Sequence, residues 1–190
     1  MRVLVACEYS GVVREAFRRR GHDAMSCDLL PTERPGPHYQ GDVRDMLADG
    51  WNVMIAFPPC TYLSRAGARW WKGREHLAQE AAEFVLALWN APISRVAIEN
   101  PIGQLNKLWR YPDQVVEPWQ FGDPYRKRTC LWLRGLPPLM ATVVSVERDW
   151  WVNSTPCKRQ GTARTQKERS LTFPGIAEAM AEQWGQEDIT

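Results

Sequence analysis

Short apolar runs alternate with amphipathic stretches along most of the chain. Arg2 to Ala6 reads as a buried strand and Gly11 to Arg20 as a helix, with a second strand over Asp23 to Asp28. Asn52 to Phe57 is a further apolar strand, Glu75 to Trp89 carries a long helical pattern, and Arg95 to Ile98 reads as another strand. Thr129 to Leu133 is a late strand and Ile176 to Trp184 a closing helix, whereas Pro31 to Pro37 and Gly135 to Pro138 are rich in turn residues and read as loops. Strand and helix alternate as in a doubly wound parallel sheet, so the expected fold is α/β and Rossmann-like. At 190 residues, the chain is expected to form one domain over 1–190.

In such a sheet, ligands sit beyond the carboxyl ends of the strands, where the strand order reverses. The residues that follow the expected strands are Cys7-Glu8-Tyr9-Ser10-Gly11, Asp28, Pro58-Pro59-Cys60 and Glu99-Asn100-Pro101. They include a thiol, several carboxylates and a hydroxyl, a chemically richer set than turn-forming alone requires.

Composition narrows the chemistry. The five cysteines are scattered over positions 7, 27, 60, 130 and 157 with no Cys-x-x-Cys pair, which argues against a disulfide framework and against a zinc site. No metal is expected, and any one of the thiols is free to be catalytic. No apolar run is long enough to span a bilayer, and the N-terminus enters a strand pattern without a signal-peptide layout, so the expectation is a soluble, cytoplasmic protein. The net charge of +2 says little, but its distribution says more: basic residues gather at Arg14 to Arg20, Arg65 to Arg74, Arg126 to Arg134 and Lys158 to Arg169. Most of the ten tryptophans are expected in the core, although Trp70-Trp71 inside a basic cluster suits stacking on bases.

Three short motifs, in order, carry a family resemblance: Ala56-Phe57-Pro58-Pro59-Cys60, Ile98-Glu99-Asn100-Pro101 and Arg126-Lys127-Arg128. Together they resemble the Pro-Cys loop, the Glu-Asn motif and the Arg-x-Arg motif of the DNA cytosine-5 methyltransferases, most closely the small phage-type members. The resemblance implies DNA as partner and S-adenosylmethionine (SAM) as methyl donor. It also implies that Cys60 attacks carbon 6 of cytosine, which makes carbon 5 nucleophilic. Glu99 would serve N3 and the exocyclic amine, Arg128 would hold the O2 side of the base, and Arg126 a flanking phosphate. Cys7 to Gly11, with Glu8, Tyr9, Ser10 and Gly11, takes the place of the glycine-rich cofactor loop with a single glycine left. Asp28 falls at the spacing of a ribose-binding acid, Asp42 is placed near the adenine amine or acts as an N-cap, and Pro58 borders the methyl donor. Arg169 to Gly175 resembles the family's last motif, which completes the SAM site.

Larger members carry a target-recognition domain between the Arg-x-Arg motif and the last motif, where here only Leu136 to Glu168 stands. A reduced recognition segment over 136–168 implies low sequence specificity. Its residues Lys158, Arg159 and Arg164 are candidates for a phosphate-binding arm, and Arg65, Arg69, Trp70 and Lys72, following Cys60, for a loop that closes over DNA around a flipped base. Other readings stay open at this point: methylation of a free nucleotide or of RNA, a non-catalytic nucleic-acid-binding module, and amino-group methylation, because the Pro-Pro-Cys loop superficially resembles the loop of that class.

Overall fold

The computed structural model describes residues 1–65, 72–123, 125–143 and 172–186. Strands β1 (Arg2–Ala6), β2 (Asp23–Asp28), β3 (His38–Gln40), β4 (Val53–Ala56), β5 (Arg95–Pro101), β6 (Gln114–Val116) and β7 (Thr129–Arg134) form one sheet in the order β3-β2-β1-β4-β5-β7-β6. The first five in that order pair in parallel, and β7 runs antiparallel to both of its neighbours. The fold is thus the expected doubly wound, Rossmann-like α/β arrangement, with one reversed strand. The reversal follows from the connection. β6 and β7 are joined by a short excursion with a 3-10 turn at Pro118–Phe121 rather than by a crossover helix.

Alternation along each strand sorts the core into two layers. Val3, Val5, Val53, Ile55, Ala97 and Leu131 face helices α1 (Val12–Arg19) and α4 (Pro174–Gln183) on one side. Leu4, Ala6, Met54, Ala56, Ile98 and Trp132 face α2 (Glu75–Trp89) and the single turn α3 (Leu105–Leu108) on the other. Strands buried on both faces read as continuous apolar runs, which is why β1, β4 and β5 are evident in the sequence. Trp51, Trp132 and Trp184 are buried, as expected of core tryptophans.

The basic cluster Arg14 to Arg20 serves the fold. Arg19 and Arg20 pair with Glu178 and so tie α1 to α4. Arg14 is fully buried and donates to Ser26 Oγ (2.9 Å), Thr32 Oγ1 (3.2 Å) and the carbonyls of Arg34 (2.8 Å) and Pro35 (3.2 Å). One guanidinium thereby organises the irregular segment that follows β2, satisfying carbonyls that no sheet partner reaches.

Candidate active site

The strand order reverses between β1 and β4, and the segments beyond their carboxyl ends are the two chemically richest in the chain. After β1 the backbone turns sharply: Cys7 takes a φ of 58° and Gly11 one of 72°. A Cβ on Gly11 would sit 2.7 Å from the Arg14 guanidinium, so its conformation and its contacts both require glycine. Between them Glu8 is buried. One of its carboxylate oxygens, Oε1, accepts from Ser10 Oγ (2.5 Å) and from the backbone N–H of Val13 (3.3 Å). The other, Oε2, has no hydrogen-bond partner among the described residues. Burial raises the Glu8 pKa against the lowering pull of Ser10, of the helix N–H groups and of Arg14. A buried oxygen left open at the switch point fits a ligand donor there, which is the observation that makes the loop compatible with a cofactor.

Asp28, at the end of β2, accepts from the Leu30 N–H (2.9 Å). Leu29, beside it, is 72% exposed. Asp42 caps the 3-10 turn Val43–Met46, accepting from the Arg44 N–H (2.9 Å), and its ion pair with Arg44 holds its carboxyl down at about 2. Of the two roles open to Asp42 in the sequence, the structure displays the capping one. Tyr9 accepts through its carbonyl from the Glu33 N–H (2.8 Å), which joins the β1 loop to the segment that Arg14 organises.

The second half of the site is a pair of interlocked loops. Pro58 is buried, and its carbonyl accepts from Asn100 Nδ2 (3.0 Å), so the Pro-Pro-Cys loop hangs from the residue after Glu99. Beyond Cys60 the chain turns back: the N–H groups of Leu63 (3.0 Å) and Ser64 (2.9 Å) donate to the Cys60 carbonyl. Leu63 then accepts from the Gln104 N–H (2.7 Å), and the Arg65 N–H donates to Ile102 (3.1 Å). At the crossing a Cβ on Gly103 would lie 1.7 Å from the Leu63 carbonyl oxygen, so only glycine admits this approach. Alternation on β5 explains the division of labour, because Asn100 points to the α2 side and reaches Pro58 while Glu99 emerges on the α4 side.

There, Glu99 lines an open cleft with Phe57, Lys127, Thr129, Thr172, Phe173, Ile176 and Met180. Burial pushes the Glu99 carboxyl up, and the Lys127 ammonium and a hydrogen bond from Thr129 pull it down. Cys60 is exposed beside this cleft, where partial burial and then the Glu99 carboxylate raise its thiol while Lys127 lowers it. The remaining described cysteines are less accessible: burial pushes Cys27 up to about 12 and Cys130 up to about 11, and Cys7 is raised further still for the same reason. Thiols so disfavoured as thiolates are poor nucleophiles.

The Cys60 thiol therefore lies within electrostatic reach of Glu99, and the Arg-x-Arg segment is placed differently from the expectation. Lys127 and Thr129 share the cleft side of the extended run into β7, and the two-residue period turns Arg126 and Arg128 away. Arg128, with 71% of its side chain exposed, lies 4.0 Å from Glu117 instead of over a base site. Sequence reasoning read the arginines and passed over the lysine between them. The strand pattern of β7, with Leu131 inward, carries the signal that would have found it. Arg65 and Lys72 are exposed at the edges of the loop that follows Cys60. Arg69, Trp70, Lys158, Arg159 and Arg164 lie outside the described residues. Among the described residues no group of three or more His, Cys, Asp or Glu is arranged to hold a metal ion, and no helix is long and apolar enough to cross a membrane.

In three dimensions the chain is similar to a protein assigned as a DNA modification methyltransferase encoded within an E. coli prophage, at 13% identity and a TM-score of 0.44, over 70% of this chain and 46% of that one. It is also similar to a mutant of Spodoptera frugiperda DNMT2, at 13% identity and a TM-score of 0.43, over 75% of this chain and 53% of that one. The chain thus spans about half the length of each. No family model and no curated protein matches the sequence.

Proposed function

We propose that this chain methylates carbon 5 of cytosine in DNA, with SAM as methyl donor and Cys60 as nucleophile. The observation that supports the reading is an exposed thiol within electrostatic reach of a carboxyl that lines an open cleft and whose pKa burial has raised. A carboxyl whose proton burial favours is suited to activating the pyrimidine ring at N3. Arg65, Lys72 and Arg126 are exposed, and such surface cations suit a polyanionic substrate.

The cytosine is flipped out of its stack and enters the cleft with carbon 6 against Cys60. The thiolate electron pair forms an S–C6 bond. The displaced ring electrons move through C4 to N3, where Glu99 delivers its proton or a strong hydrogen bond. Carbon 5 then carries enamine character. SAM would supply the electrophilic methyl group to carbon 5 as its sulfur–methyl bond breaks to leave S-adenosylhomocysteine, and Glu8, through its open Oε2, and Asp28 would hold it, with Tyr9, Ser10, Gly11, Asp42 and Pro58 around them. Loss of the carbon-5 proton to a base returns the electron pair that expels Cys60 as thiolate. Asn100 keeps the geometry by fixing Pro58, and Arg126 and Arg128 contact the DNA backbone from the outer side of their segment.

The test uses a substrate that lacks the removable proton. Wild-type protein with SAM should form a denaturant-resistant adduct with DNA containing 5-fluorocytosine, Cys60→Ala should form none, and Glu99→Gln should form it far more slowly. An adduct with the fluorinated free nucleotide or RNA but not with the DNA would reassign the substrate. Methylated product at the wild-type rate from Cys60→Ala would overturn the mechanism.

A further inference from the structure

The resemblance assigns the cationic work of the site to Arg126 and Arg128, yet the only cation on the wall of the cleft, among the described residues, is Lys127. Its position is fixed from several directions. The reversed β7 pairs its first residue, Thr129, with Pro101 at the carboxyl end of β5, so the residues just before β7 are delivered to the edge where Glu99 emerges. The Lys127 Nζ stands 5.8 Å from the centre of the Phe173 ring, and that ring lies 5.3 Å from Tyr125. Phe173 immediately precedes α4, so the lysine stem is held between the β7 approach and the helix that closes the cleft. The residues that line the cleft with Glu99 and Lys127 are Phe57 after β4, Thr129 from β7 and Thr172, Phe173, Ile176 and Met180 from the start of α4 and its approach, none of them charged.

We propose that Lys127 is the working cation of the substrate site: its ammonium favours the Cys60 thiolate and, once cytosine has entered, donates a hydrogen bond to carbonyl O2 of the ring. This rests on the cytosine reading for its second half only. No bond to Lys127 forms or breaks. When the thiolate adds to carbon 6, negative charge spreads over N3 and O2, and the ammonium opposite O2 complements the proton from Glu99 opposite N3. A lysine suits the place because a compact charge with three rotatable donors can serve a thiolate first and a carbonyl next, whereas a planar guanidinium is committed to a fork. The two electrostatic effects agree with the position: Lys127 lowers both the thiol of Cys60 and the carboxyl of Glu99, opposing their burial.

The experiment reads the thiol directly. Alkylation of Cys60 by iodoacetamide, followed by mass spectrometry of its peptide over a pH series, needs neither DNA nor SAM. Lys127→Met should slow the reaction about tenfold at neutral pH and move its profile to higher pH, and Lys127→Arg should restore most of the rate. Arg126→Ala and Arg128→Ala should leave the alkylation profile in place. A Lys127→Met profile that overlays the wild type would overturn the proposal, and Lys127→Gln serves if the methionine variant melts early. For the second half, replacing O2 by sulfur in the fluorinated cytosine should slow adduct formation about tenfold in wild type and much less in Lys127→Met. Equal losses in the two proteins would remove the O2 contact. If the cytosine reading itself fails, no adduct forms in any protein, while the alkylation difference remains.

Discussion

Adding one methyl group at Gly103 should separate the two loops that carry Cys60 and follow Glu99. The Cβ of Gly103→Ala would be placed 1.7 Å from the Leu63 carbonyl oxygen, 2.8 Å from its carbon and 3.0 Å from Ser64 Cα, all backbone atoms that cannot rotate away. Gly103 is not among the glycines with positive φ, so alanine accepts its backbone angles and the cost is purely one of contact. Relief requires a shift of more than an ångström, which would break the Gln104-to-Leu63 and Arg65-to-Ile102 hydrogen bonds. Each such bond contributes about 1 kcal/mol net, and overpacking a tight contact costs about 1–3 kcal/mol, so the loss should be roughly 3–5 kcal/mol. For a chain of this size about 1 kcal/mol moves the melting temperature by roughly 2–4 °C, so a fall of about 6–20 °C is expected in a thermal melt. At a temperature where the variant is still folded, adduct formation should fall by about a hundredfold, because an ångström of misplacement at a reacting centre has that effect. A variant with wild-type melting and wild-type reactivity would refute the idea that the two loops form one rigid unit.

Glu99→Gln should be more stable than wild type at alkaline pH. Burial raises the Glu99 pKa in the folded state, so its stabilising proton is fully present below the unfolded value of about 4.3 and is lost as pH rises through the folded value. The difference in melting temperature between variant and wild type should therefore widen with pH, and a constant difference would show that Glu99 is not held protonated. Arg14→Met leaves the carbonyls of Arg34 and Pro35 and the hydroxyls of Ser26 and Thr32 without their donor, and urea denaturation should show a loss of about 3–5 kcal/mol. A loss below about 1 kcal/mol would mean that the segment after β2 holds itself. Asp28→Ala should weaken SAM binding measured by calorimetry without lowering the melting temperature, and unchanged affinity would remove Asp28 from the cofactor site. Changing Lys158, Arg159 and Arg164 together to Ala should reduce the slope of log affinity for duplex DNA against log salt by about 0.9 per lost contact, and an unaltered slope would exclude them from phosphate binding.

The elements legible in the sequence are those with long or strongly apolar patterns. β1, β2 and α2 coincide with the expected Arg2–Ala6, Asp23–Asp28 and Glu75–Trp89, and β4 is found within a residue at each end. The strands at the sheet edges are invisible to the same reasoning. β3 (His38–Gln40) and β6 (Gln114–Val116) are three residues long, too short for a period to register, and β3 is polar because it is exposed. The site shows the same division. Cys60 and Glu99 are legible because they follow apolar strands directly. Alternation puts Lys127 on the face of Leu131, but that this face meets Glu99 depends on the register of β7 against β5, a long-range pairing that local spacing does not encode. Arg14, read from the sequence only as part of a basic cluster, is the most completely buried charge among the described residues.

The 3-10 turn at Pro118–Phe121 anchors both flanks of the interval 144–171. On the way out, the N–H groups of Thr142 (3.0 Å) and Val143 (3.1 Å) donate to the Gln120 carbonyl. On the way back, the Gly175 N–H donates to Asp123 Oδ2 (2.7 Å), three residues further along. Residues 118–123 therefore hold the point where the described fold breaks off after Val143 close to the point where it resumes ahead of Gly175. Lengthening a connection between two points already held together costs only about 0.6 kcal/mol per doubling, so residues added between Val143 and Thr172 should leave the cleft undisturbed. On the proposed function, that makes the interval the natural place to graft a longer recognition segment into this chain.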